Sequence, residues 1–214
     1  MIKAILFDID NTLFPSSEFA ELARKNAINA MIAAGLNADP DKAYSKLLQI
    51  IKKYGPNYPK HFNILLRELG VKPNPKIIAA GVVAYHQTKS SIFPFPDVPK
   101  TILQLREHYT LCVASEGKAI KQWDKLIRLG LHNFFHHVFV TPKKTKNFYS
   151  SIIKKLKIQP NEAVMVGDSV EKDIKPAKEA GITTILLSHQ KDKRADYTIT
   201  AIKELLPILQ ELRE

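Results

Sequence analysis

From Phe93 onward the chain alternates short apolar runs with amphipathic segments, and this alternation restricts the possible folds more than any other feature. The runs near 110–114, 137–140, 163–167 and 182–187 have the length of buried strands. Between them, 97–107, 118–129, 146–157 and 171–180 repeat apolar residues at three- and four-residue steps, the period of a helix. Alternating strand and helix implies parallel strands joined by right-handed crossovers, with helices on both faces of the sheet. A YTI run at 197–199 and a helix near 200–212 extend the series. The N-terminal run at 3–7 belongs with these strands.

Between that first strand and Phe93 the chain has a different rhythm. Phe19, Leu22, Ala23, Ala27, Ala30 and Met31 lie on one helical face, which Gly35 ends. Asp39-Pro40 reads as an N-cap followed by proline in the first turn, opening a helix through Tyr44, Leu47, Leu48 and Ile51 that stops at Gly55-Pro56. A third helix spans about 59–69 before Gly70, and a fourth follows Asn74-Pro75 to about Gln87. Four helices with no strand among them predict a small bundle. The proline-rich PFPDVP then marks a boundary. The expected architecture is α/β: a doubly wound, Rossmann-like parallel sheet from residues 1–14 and 94–214, with an inserted α-helical domain at 15–93.

Composition excludes several function classes. The 32 Lys and Arg exceed the 21 Asp and Glu by 11, but the excess is divided as +6 over residues 15–93 and +5 over the rest. There is no basic tail or arginine-rich arm, so no nucleic-acid partner is expected. No stretch approaches the roughly 18 apolar residues of a membrane span, and the N-terminus shows no basic-then-apolar signal pattern. A cytoplasmic monomer or homodimer without membrane contact is the expectation. Cys112 is the sole cysteine, so neither an internal disulfide nor a cysteine-based zinc cluster can form. His136 and His137 in HNFFHHVF point different ways on any regular element and read as a loop entering a strand. Trp123 and Leu126, at helical spacing, read as core.

In an open parallel sheet, ligands bind beyond the carboxyl ends of the strands. Strand one ends in Asp8-Ile9-Asp10-Asn11-Thr12, the 110–114 run in Ser115-Glu116-Gly117, the 137–140 run in Thr141-Pro142-Lys143-Lys144, and the 163–167 run in Gly167-Asp168-Ser169, with Asp173 five residues on. Converging carboxylates repel one another and call for a cation, and an all-oxygen set suits Mg²⁺. A carboxylate can attack phosphorus and split a transfer into two steps. A hydroxyl, backbone N–H groups at a glycine and a lysine can hold the equatorial oxygens. A second carboxylate can protonate the leaving group and then deprotonate the attacking water.

These residues resemble the haloacid dehalogenase superfamily over essentially the whole chain. DIDNT matches its DxDxT signature, GDSVEKD matches GDxxxxD, and a strand-end serine and a lysine region fall between them in the family's order. The helical insertion looks like the family's α-helical cap. The resemblance implies a phosphomonoesterase acting on a small phosphorylated metabolite, with Mg²⁺ as cofactor. It implies Asp8 as nucleophile and metal ligand, Asp10 as general acid/base that lends its backbone carbonyl to the metal, and Asp168 as a further metal ligand. Ser115 and Glu116, the latter through its backbone N–H, would bind the phosphoryl group. Thr12 and Asp173 would support the site.

Two positions depart from the pattern. Asn11 stands where glycine is frequent, and asparagine also tolerates turn conformations. The lysine motif reads PKKTKNFY; counting back six from Tyr149 selects Lys143, with Lys144 and Lys146 as alternatives. Asp10 favours a phosphatase over the alternative of a 2-haloacid dehalogenase, because a departing halide needs no proton. A non-catalytic phospho-acceptor module and a basic nucleic-acid-binding module are the alternatives from other classes. Cap residues such as Arg24 and Lys25 are candidates for meeting a second anionic group on the substrate.

Overall fold

The computed structural model describes residues 1–212. They divide into two compact units, one formed by 1–16 with the residues from 93 onward and the other by 17–92. In the first unit β1 (Ala4–Phe7), β2 (Thr110–Glu116), β3 (His137–Thr141), β4 (Ala163–Gly167), β5 (Thr183–Leu187) and β6 (Tyr197–Ile199) make one sheet. The order is β3-β2-β1-β4-β5-β6 and every pairing is parallel. The chain builds outward from β1 to β3, then returns to the other side of β1 for β4. The seam between β1 and β4 is therefore the topological switch point, where sheets of this kind open a crevice.

The second unit holds most of α1 (Ser16–Ala33) and all of α2 (Pro40–Tyr54), α3 (His61–Glu68) and α4 (Pro75–Ser90). Local chemistry sets their ends. The Asp39 carboxylate accepts from the Lys42 N–H at 2.9 Å, the Asn74 side chain accepts from the Lys76 N–H at 2.9 Å, and Pro40 and Pro75 open the two helices. Ile28, Met31, Leu47, Ile50, Leu65, Leu66 and Ile77 form this unit's own apolar core. α4 lies close on α1 because Gly81 leaves the space that Met31 fills; a Cβ there would stand 2.8 Å from the Met31 Cγ.

Among the described residues, five helices accompany the sheet: α5 (Val98–Arg106), α6 (Ala119–Arg128), α7 (Lys146–Leu156), α8 (Lys175–Glu179) and α9 (Leu205–Glu211). Leu6, Cys112, Ala114 and Met165 of the strands pack with Tyr149, Ile152 and Ile153 of α7 and with Ala177 of α8. Each large apolar side chain buried this way contributes about 1.5–3 kcal/mol. Burial pushes the Cys112 thiol up to about 12, which makes it a small hydrophobe rather than a nucleophile. His136 is structural too, its Nδ1 accepting from the Leu111 N–H at 3.0 Å. The two crossings to the helical unit are tied together inside the sheet unit, where the Phe95 N–H donates to the Leu13 carbonyl at 3.0 Å.

Three sequence expectations change. The segment 171–180 is not one helix: a wide π-helical turn, Val170–Ile174, precedes the five-residue α8. Residues 200–212 likewise divide into a 3₁₀ turn, Ile202–Glu204, and α9. Leu126 is buried as expected, but Trp123 is 42% exposed. Three positions on a helix leave a 60° offset, enough to carry one of the two side chains out of the core. Among the described residues, no helix is long and apolar enough to cross a membrane.

Candidate active site

The site begins with the apolar strand that delivers its first carboxylate. β1 is buried along its whole length, with Phe7 opposite Val113 of β2 and Val166 of β4. The Asp8 N–H still donates to the Val166 carbonyl at 3.0 Å, so the carboxylate leaves the sheet from a backbone fixed on that side. One strand over, β4 ends at Gly167 and hands the chain to Asp168. Carboxylate oxygens of Asp8, Asp168 and Asp173 lie within 4.8 Å of one another. The Lys144 ammonium, from the loop after β3, donates to Asp8 Oδ1 at 2.7 Å and Asp173 Oδ1 at 2.5 Å.

The π-helical turn explains how Asp173 arrives there. The N–H groups of Asp173 and Ile174 both donate to the Ser169 carbonyl, at 2.8 and 3.2 Å, so the turn opens by one residue and swings Asp173 back. Its Oδ2 then accepts from the Ser169 N–H at 3.0 Å. The glycine of the GDSVEKD stretch makes room for this return, since a Cβ on Gly167 would run into the Asp173 side chain. Asp173 is fully buried and Lys144 is 5% exposed.

Such convergence is electrostatically costly. Burial, and then the charge of Asp8, push the Asp173 carboxyl up to about 7, with Lys144 acting against the rise. Burial and Asp8 also raise Asp168, opposed by a hydrogen bond from the Asn11 side chain. For Lys144, burial works against the charge, but Asp8 and Asp173 outweigh it and hold the ammonium above its ordinary range. One ammonium cannot balance three carboxylates. An all-oxygen donor set carrying excess negative charge fits a hard divalent cation such as Mg²⁺ and offers none of the nitrogen or sulfur ligands zinc favours.

The structure therefore brings Lys144, not Lys143, into the cluster. Lys143 is exposed, its backbone occupied in a tight turn in which the Thr141 hydroxyl donates to the Lys143 carbonyl at 3.0 Å. Thr145 then caps α7, its hydroxyl accepting from the Phe148 N–H at 3.3 Å, and Lys146 is exposed at the helix start. A turn ending one residue before the cap points the intervening side chain inward.

The remaining predicted residues have distinct surroundings. Asn11 has φ +53°, the left-handed conformation asparagine accepts more readily than most residues, and its Oδ1 accepts from the Ser16 hydroxyl at 3.0 Å. Thr12 is fully buried, and its hydroxyl has no hydrogen-bond partner among the described residues. Ser115 is 1% exposed near the end of β2. The Glu116 carboxylate accepts from Lys172 Nζ at 3.0 Å and from the Lys144 N–H at 3.2 Å. Burial alone would raise Glu116; these two donors outweigh it and bring the carboxyl below its usual range. Asp10 stands apart from the buried cluster and is held by Lys125 of α6, whose Nζ donates to Oδ1 at 2.8 Å and Oδ2 at 2.5 Å.

Lys125 and its neighbour Gln122, which donates to the Glu116 carbonyl at 2.8 Å, escaped sequence reasoning. A signal existed. Gln122, Lys125, Leu126 and Leu129 follow the spacing of one helix face, so two polar residues stand where a core-facing stripe should be apolar.

Comparison with known proteins bears on the family of the chain. The family model described as haloacid dehalogenase-like hydrolase matches residues 2–181. A glyceraldehyde 3-phosphate phosphatase of Methanopyrus kandleri is 45% identical, with 99% of each chain covered. One from Methanocaldococcus jannaschii is 43% identical over the full length of both. The crystal structure of a HAD phosphatase from Thermococcus onnurineus superimposes with a TM-score of 0.67 at 26% identity, covering 97% of this chain and 98% of that one. A family match spanning most of the sequence, end-to-end relatives above 40% identity and a shared fold converge on one conclusion: the chain belongs to the haloacid dehalogenase-like hydrolases.

Proposed function

We propose that the chain is a Mg²⁺-dependent phosphatase whose substrate is glyceraldehyde 3-phosphate. The observation that carries the reading is the buried cluster of Asp8, Asp168 and Asp173 around Lys144, placed at the carboxyl ends of β1 and β4. The substrate is taken from the full-length relatives above 40% identity that bear that activity in their names.

In this reading an Asp8 carboxylate oxygen attacks phosphorus, and the sugar oxygen departs with a proton from Asp10. Water then attacks the aspartyl-phosphate and gives its proton to Asp10, releasing inorganic phosphate and restoring Asp8. Lys144, already against Asp8, holds the phosphoryl oxygens, together with Ser115 and the N–H of Glu116. The Glu116 side chain serves instead to tie Lys172 to the Lys144 backbone. Asp8, Asp168 and the Asp10 carbonyl would hold the Mg²⁺, with Asp173 supporting from behind. When bound, the cation offsets negative charge on the nucleophile and the phosphoryl group. The four-helix unit is read as the substrate-selecting cap. There Lys25 is paired with Glu21 at 2.6 Å on the surface of α1.

The test is phosphate release from glyceraldehyde 3-phosphate, dihydroxyacetone phosphate, glycerol 3-phosphate and p-nitrophenyl phosphate, with and without Mg²⁺. The expected result is Mg²⁺-dependent turnover with glyceraldehyde 3-phosphate preferred. Asp8→Asn should lower turnover of every ester by at least about 10³-fold, the loss expected when a covalent route is removed. Full turnover by Asp8→Asn would falsify the covalent mechanism.

A further inference from the structure

α6 departs from the usual arrangement of a surface helix at four positions. It leaves Ile120 80% and Ile127 56% exposed, yet turns Gln122 inward at 4% exposure and Lys125 inward with its side chain 22% exposed. Both inward polar groups have partners in the site. Gln122 donates to the Glu116 carbonyl, the far end of the residue whose N–H is assigned to phosphate, while Lys125 reaches both oxygens of Asp10 across 115 residues of sequence. A cation touching one carboxylate oxygen leaves the group free to turn about its last bond. Contact with both oxygens fixes the direction in which the carboxylate faces.

We infer that Lys125 is the positioning residue for Asp10, aiming it for the second half of the reaction. The inference rests on the phosphatase reading above and adds a residue to it. In that half-reaction a water oxygen bonds to phosphorus, the bond from phosphorus to the Asp8 oxygen breaks, and the water's proton passes to Asp10. In the second half-reaction a water must be aligned with both phosphorus and Asp10, so a fixed carboxylate direction matters there. The Gln122 contact, one turn earlier on the same face, makes α6 a common support for Glu116 and for Asp10.

The experiment uses p-nitrophenyl phosphate, whose leaving group departs without needing a proton. Formation of the aspartyl-phosphate then makes little demand on Asp10, and hydrolysis carries the full demand. Lys125→Met is expected to lower kcat by roughly 10- to 100-fold while kcat/KM stays within about 3-fold, and a burst of p-nitrophenol should appear as phosphoenzyme accumulates. Lys125→Arg should recover most of kcat. In an Asp10→Asn background, Lys125→Met should have no further effect on kcat. An unchanged or increased kcat in Lys125→Met, a parallel fall of kcat and kcat/KM, or additive losses in the double variant each overturn the inference. If Lys125→Met does not fold, failure of Lys125→Arg to retain kcat overturns it as well. Absence of turnover by the unaltered protein would instead overturn the phosphatase reading, and this inference with it.

Discussion

Two clusters of charge in the sheet unit show opposite solutions to the same problem. On the surface, Lys175, Lys178, Glu179, Lys193 and Arg194 line a cavity of about 420 Å³. There Lys178 meets Asp196 at 2.6 Å, and Arg194 meets Asp192 at 2.8 Å and Glu171 at 2.6 Å. The acids are satisfied, and the Arg194 hydrogen bonds bring Asp192 down to about 2. At the ends of β1 and β4 the shift runs the other way, with Asp168 and Asp173 raised. A paired surface acid is lowered by its partner; Asp168 and Asp173 are raised by burial first and by the neighbouring Asp8 charge second. The unbalanced cluster is where charge remains to be supplied from outside, and it coincides with the topological switch point.

The largest expected break in this contrast comes from Lys144. Lys144→Met removes the only cation within hydrogen-bonding reach of Asp8 and Asp173 among the described residues. It should reduce kcat/KM by about 10³-fold and, in metal-free protein, cost about 3 kcal/mol by urea unfolding. Gly167→Ala should come next. Its methyl group displaces Asp173, so turnover should fall by about 10²-fold and stability by about 1–3 kcal/mol, read by steady-state kinetics and thermal melting.

Adding Mg²⁺ should sharpen the comparison. A cation that binds only the folded protein stabilises it by about 2.7 kcal/mol at a hundred times its Kd. Binding requires ionised carboxylates, and Asp173, raised to about 7, still holds its proton at pH 5.5 and has lost it by pH 8. The Mg²⁺-induced rise in Tm should therefore be larger at pH 8 than at pH 5.5, as read by scanning fluorimetry at the two values. The smallest effect belongs to the surface. Arg194→Gln breaks surface pairs and should move Tm by less than about 2 °C and leave kcat unchanged.

The features legible in the sequence are those with a period or a fixed spacing. AILF was legible as a strand because its apolar residues are contiguous, and Asp8 and Asp10 because carboxylates at the end of such a run demand compensation. Choosing between Lys143 and Lys144 was a different problem. They are adjacent in an irregular turn, and only the Thr141 hydrogen bonds and the Thr145 cap decide which one faces inward. The π-helical turn was hidden because shifting a backbone hydrogen bond by one residue leaves the amphipathic pattern of 171–180 almost intact. Lys125, one of 32 basic residues, was marked only by sharing a helix face with Leu126 and Leu129, and nothing in that spacing named Asp10 as its partner. Periodicity reports burial; it does not report which of two neighbouring polar side chains finds a distant partner.

The hydrogen bond from the Phe95 N–H to the Leu13 carbonyl has a consequence for how such a protein can diversify. It staples the two ends of the insertion together within the sheet unit, so the catalytic scaffold meets everything between them as a single closed loop. Closing a longer loop costs little more than closing a shorter one, about 0.6 kcal/mol for each doubling. The helical segment is thus a socketed attachment: evolution, or an engineer, can exchange it for another of different length and lining while Asp8, Lys144 and Asp173 keep their places.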